Sequence, residues 1–202
     1  MRLLILLGFL PVFTCNQEIP IEPNYYAQVN SMDTTTSSGN SLDYWLASDS
    51  TVMIAWSNSA HEKIGILPSE KMPGWAPHYY YCEFENFIGM RYSCGCPCWS
   101  LTLLPLNKND TIENFMEDLA VDTKRGYIFA QSCLAEKGQF CLYSVNLHQH
   151  NSIRLAGLDT TVEILGRLDS VGFIEEGLYL RWHSFLAYGG TGNARDTIIV
   201  LR

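Results

Sequence analysis

Three thiols within five residues, Cys94, Cys96 and Cys98, form the densest group of chemistry-bearing side chains in the chain. On an extended backbone residues two apart share a face, so all three thiols would point the same way. A disulfide between residues two apart is strained, and a strained bridge is readily reduced. If two thiols stay reduced, they make a soft site for copper(I) or zinc with His78 as the nearest imidazole, or a redox pair. The plainer alternative is that Gly95 and Pro97 bend the segment and its thiols are consumed in bridges. No C-x-x-C is present, and no cofactor is expected.

Setting Cys15 aside leaves six cysteines, an even number that reads as three disulfides in an exported domain. Cys133 and Cys141 flank the turn at Glu136-Lys137 and should face each other across a hairpin. Cys82 should reach the Cys94–Cys98 segment across a second hairpin turning near Asn86. Other candidates carry less. His148 and His150 would share a strand face, a spacing that metals use, but their setting at a turn reads as a solvated loop. The segment from Gly189 to Arg195 lacks the lysine and following helix of a phosphate cradle, and reads as a hairpin turn or loop. Catalytic serine would call for a G-x-S-x-G elbow, which does not occur. Exposed aromatics are the best binding candidates: Trp75 in a proline-rich loop, Tyr79 and Tyr81 in a Tyr-Tyr-Tyr run, and Trp99 beside the cysteines. Alternation along that run must turn at least one tyrosine inward.

Charge and leader set the address. With 13 Lys and Arg against 21 Asp and Glu, the net charge is −8, which disfavours nucleic-acid binding. Residues 1–14 place Arg2 before a short apolar run, the order of a secretory signal peptide. The run falls short of the roughly 20 residues that span a bilayer, and no later segment reaches that length. Cys15 then stands where a lipidated cysteine would, and residues 15–41 are polar enough to act as a flexible tether. Leader, cysteine and tether together resemble small bacterial surface or periplasmic lipoproteins. That resemblance implies a domain held outside the cytoplasmic membrane by acyl chains at Cys15, in the periplasm or at the cell surface.

The elements that must position these residues are mostly strands. Short apolar runs recur from Leu42 onward, separated by turn residues, as at Thr51–Trp56, Tyr79–Phe84, Phe87–Tyr92 and Trp99–Leu104. The clearest hairpin joins Gly126–Cys133 to Gln139–Asn146, and the stretch around it looks like a propeller blade without a repeat. One helix is expected between Asn109 and Leu119, where Asp110 could cap and Ile112, Phe115, Met116 and Leu119 fall at helical spacing, with a strand ending at Val121 as the alternative. Residues 42–202 therefore read as a single all-β or β-rich domain with at most one short helix, a disulfide-stapled antiparallel sandwich or barrel. The expected function is a non-enzymatic interaction domain for a protein or carbohydrate. A thiol-based metal or redox protein using Cys94, Cys96 and Cys98 is the first alternative, and a secreted hydrolase built around His61 and His183 or paired carboxylates is the second.

Overall fold

The computed structural model describes Val29 and residues 32–47, 51–69, 78–95, 98–132, 140–153, 168–186 and 190–201. Its fourteen elements are all strands and all pair antiparallel. β1 (Thr34–Thr35), β2 (Ser41–Leu46), β3 (Val52–Ser57) and β4 (Lys63–Ser69) form a four-stranded meander. A seven-stranded meander follows: β5 (Tyr79–Glu83), β6 (Phe87–Gly95), β7 (Cys98–Pro105), β8 (Glu113–Asp122), β9 (Tyr127–Ser132), β10 (Phe140–Ser144) and β11 (Gln149–Ile153). β12 (Leu168–Ile174), β13 (Gly177–Leu186) and β14 (Gly190–Val200) make a three-stranded sheet. Among the described residues no helix is long and apolar enough to cross a membrane.

The seven-stranded sheet is folded over on itself. Phe87 on β6 lies with its ring centroid 5.7 Å from that of His148, just beyond β10. In a flat sheet four strand spacings would hold β6 and β10 about 19 Å apart. The fold runs through β8, whose first residues pair with β7 (Leu101 with Phe115) and whose last pair with β9 (Val121 with Ile128). A register irregularity between Asp118 and Ala120 interrupts the ladder there, and a bulge is the usual way for one strand to serve two sheets. The chain thus presents four layers: β1–β4, β5 to early β8, late β8 to β11, and β12–β14.

Each pair of neighbouring layers encloses one apolar cluster. Leu42, Ile54 and Trp56 of the first layer meet Ile88, Met90 and Leu104 of the second. Phe87, Leu101 and Leu103 meet Ile128, Cys141 and Tyr143 inside the fold of the long sheet. Phe129, Phe140 and Leu142 meet Leu178, Leu180 and Trp182 of the last layer. Strands of the middle layers bury both faces, so their sequences read as continuous apolar runs; β10 (Phe-Cys-Leu-Tyr-Ser) is buried throughout. Each fully buried Leu, Ile or Phe contributes about 1.5–3 kcal/mol, so the three clusters dominate stability. Arg125, in the β8–β9 turn, binds Asp122 at 2.5 Å and donates to the carbonyls of Ile174 (2.8 Å) and Glu175 (3.1 Å), tying the third layer to the fourth.

Several expectations change. The helix expected over Asn109–Leu119 is a turn followed by β8: Asn107 and Asp110 hydrogen-bond to each other in the turn, and Glu113 onward is extended. Pairing on both sides overrides the helical spacing, because β7 and β9 supply ladder partners that a lone helix would lack. The folded domain also begins upstream of Leu42. Val29, Thr36 and Asn40 are buried and β1 pairs with β2. The disulfide staples are not supported: no bridge joins two described cysteines. Cys141 lies in the second interlayer cluster with Cys82 packed against it. The side chains of Cys94, Cys96, Cys98 and Cys133 lie outside the described residues. The antiparallel all-β expectation stands, as stacked layers.

Gly65 on β4 shows how tightly the first two layers fit. Trp56, whose Nε1 donates to the carbonyl of Pro105 at 2.7 Å, lies against it, and a Cβ at Gly65 would come within 2.4 Å of the indole. Gly172 on β12 has open space at the same point. Gly65→Ala is therefore expected to cost about 1–3 kcal/mol through overpacking, whereas Gly172→Ala is neutral or slightly stabilising. Urea denaturation of both variants checks this, and equal effects would contradict the packing described.

Candidate binding surface

The exposed aromatic face is built by strand register. In the β5–β6 ladder Tyr79 pairs with Arg91 and Tyr80 with Met90, but the next pair is Cys82 with Gly89. Tyr81 is the extra residue of a bulge. Without it, alternation would put Tyr81 on the face of the interior cluster and Cys82 on Tyr80's face, toward the first layer. With it, Cys82 packs against the interior cluster, Tyr80 packs against the first-to-second-layer cluster, and Tyr81 is left 37% exposed. Arg91 lies with its guanidinium carbon 3.9 Å from the Tyr81 ring centroid and 5.9 Å from that of Trp99, which is 43% exposed. Both are within cation–π range, worth about 0.5–1 kcal/mol each at exposed sites. Trp99 gets there because it pairs with Ser93, two residues from Arg91 on β6.

Of the aromatic candidates, the structure thus joins Tyr81 and Trp99 and adds Arg91, which no motif or spacing singled out. Tyr79 is half-buried and sits opposite Arg91. Trp75 lies outside the described residues. Cys94 and Cys98 belong to the facing ends of β6 and β7, and Cys96 is outside the described residues. His78 is largely buried with its ring 4.3 Å from that of Tyr92, and burial drives its pKa down from 6.5 to about 4. Among the described residues no group of three or more His, Cys, Asp or Glu is arranged to hold a metal ion.

Two polar clusters lie elsewhere. Glu83, at the end of β5, accepts hydrogen bonds from Thr36 Oγ1 and Asn40 Nδ2 (both 2.6 Å) and Ser38 Oγ (2.9 Å). Burial raises its pKa, but these donors outweigh that and hold it below the usual carboxylate value. They fasten the β1–β2 turn to the second layer beside a cleft of about 640 Å³ that Tyr80, Cys82 and Glu85 also line. A carboxylate so fully engaged serves as a tie and is poorly placed to act as a base. The second cluster surrounds Glu113: His148 is exposed in the β10–β11 turn, as expected, and His150 is exposed on β11, yet both rings approach one carboxylate. Tyr143 Oη donates to Glu113; His148 Nδ1 lies 3.6 Å and His150 Nε2 3.7 Å from that carboxylate. Their rings rest on Phe87, Phe115 and Tyr143, at the open end of the fold in the long sheet. His61 stands in the exposed β3–β4 turn with a positive φ of 61°, and the side chain of His183 is outside the described residues.

Comparison with family models, curated proteins and solved structures finds no match for this chain. The surface is therefore read from its own geometry.

His78 makes a pH prediction. Its folded pKa lies below its unfolded value, so the unfolded chain takes up the proton first as pH falls. Its contribution to stability is complete above about 6.5 and declines down to about 4, an effect on the order of 3 kcal/mol at one pKa unit per 1.36 kcal/mol. His78→Phe keeps a ring against Tyr92 and should flatten the fall in stability between pH 7 and pH 4. An unchanged slope in that variant would show that His78 does not carry the effect.

Proposed function

We propose that this is an exported, non-enzymatic interaction domain that binds a protein partner through Tyr81, Arg91 and Trp99. One observation carries the reading: Arg91 is stacked on Tyr81 and reaches Trp99 while both rings remain exposed. Trp, Tyr and Arg are the residues most enriched at binding hot spots, since each brings a large rigid or planar group with a polar handle. A protein partner is favoured over a sugar because Arg91 occupies a face of Tyr81 on which a sugar ring would otherwise stack. The apolar leader, Cys15 and the polar residues behind it support export with lipidation at Cys15, outside the cytoplasmic membrane. Bridges among Cys82, Cys94, Cys96, Cys98, Cys133 and Cys141 belong to the same reading, since an oxidising compartment would form them.

Panning a displayed peptide library against the full chain tests the surface. Recovered binders should lose about 30-fold in affinity with Tyr81→Ala or Trp99→Ala, a hot-spot loss of about 2 kcal/mol. Both residues are exposed, so the variants should keep the parent's thermal midpoint within a few degrees. Binders indifferent to both substitutions would refute the assignment. The anchor is tested separately: expressed in a bacterium, the parent should incorporate labelled palmitate and partition with membranes, and Cys15→Ser should do neither.

A further inference from the structure

We infer that the group this surface recognises is a carboxylate, as in an Asp- or Glu-containing segment of the partner; the inference rests on the binding surface proposed above. The geometry restricts what Arg91 can do. Its guanidinium lies against the Tyr81 ring at 3.9 Å, with Trp99 at 5.9 Å. A ring on the face of a guanidinium takes up the direction perpendicular to its plane. Hydrogen bonds leave in the plane, along the N–H edges.

Those edges form a fixed fork that matches the two oxygens of a carboxylate, and the resulting charge-assisted pair is about twice as strong as a neutral hydrogen bond. Five N–H donors serve the group, so a partner for Arg91 within the chain and a carboxylate from outside can be accommodated together. The flanking rings add to the effect. They displace water from around the guanidinium, lowering the local dielectric and strengthening an ion pair formed there. They also hold the long side chain in one place, so less rotamer entropy is lost on binding. The setting is unusual for this chain, where 21 acidic residues outnumber 13 basic ones. An acidic partner is repelled by the molecule as a whole and held at this position, which favours recognition of one particular segment over general attraction.

Specificity for a planar anion implies that charge alone is insufficient. Lysine at position 91 would keep the charge and lose both the fork and much of the stacking.

The experiment uses the full chain and the peptides recovered by panning. Peptides that depend on Tyr81 and Trp99 should be enriched in Asp or Glu. Replacing the critical acid by its amide should weaken binding at least tenfold, as should Arg91→Ala and Arg91→Lys. Combining the amide peptide with Arg91→Ala should give little further loss, the mark of a direct pair in a double-mutant cycle. Peptides that need Tyr81 and Trp99 but carry no acid, or bind equally well to Arg91→Lys, overturn the carboxylate and leave the binding surface standing. Recovery only of peptides indifferent to all three residues removes the surface itself.

Discussion

The central strands of this protein have no face to give to water. β6, β7, β9 and β10 carry apolar side chains on both sides, and a sheet of that kind is stable only if both faces are covered. The structure meets this requirement by stacking. One face of the long sheet closes against itself when the sheet folds through β8. Its outer faces are covered by the four-stranded sheet at one end and the three-stranded sheet at the other. Three apolar clusters follow from that single constraint.

Several polar ties between layers are found where layers end. Glu83 fastens the β1–β2 turn, Arg125 fastens the β12–β13 turn, and Glu113 gathers Tyr143, His148 and His150 at the open side of the central fold. Lys108 and Glu62 make a fully surface pair at 2.7 Å between the β3–β4 turn and the β7–β8 loop, and such pairs contribute little. These contacts fix how turns sit on neighbouring layers; the free energy comes from the clusters between them. The proposed binding surface differs in kind. Its charged group lies 3.9 Å from one exposed ring and 5.9 Å from another.

That surface depends on one inserted residue. The bulge at Tyr81 lets Cys82 face inward without disturbing Tyr80, and so leaves an aromatic ring over Arg91. A bulge has no sequence signature here, because Tyr-Tyr-Tyr-Cys alternates equally well in either phase. This is why alternation could say that one tyrosine is inward but not which, and why Arg91 was passed over. Trp99 and Tyr81 were legible as aromatic candidates from composition alone, whereas their convergence on a cation required the register of three strands.

The thiols of Cys94, Cys96 and Cys98 supplied the sequence's most distinctive feature, and their spacing alone left bridges, metal and redox chemistry open. The structure sets Cys94 and Cys98 at the facing ends of β6 and β7. By itself the sequence determined the all-β antiparallel class, the hairpins at Glu85-Asn86 and after Gly126, and most strand positions, because apolar runs and turn residues act locally. It left Ile112–Leu119 open between helix and strand, because helical spacing and a long strand share the same residues and only pairing with β7 and β9 decides. Nor did it show that Thr36, Ser38 and Asn40, polar in sequence, are spent on Glu83, more than forty residues away. What the tertiary structure decided was which residues meet: local periodicity fixes the faces of a strand, but only the folding of one sheet onto another fixes what those faces touch.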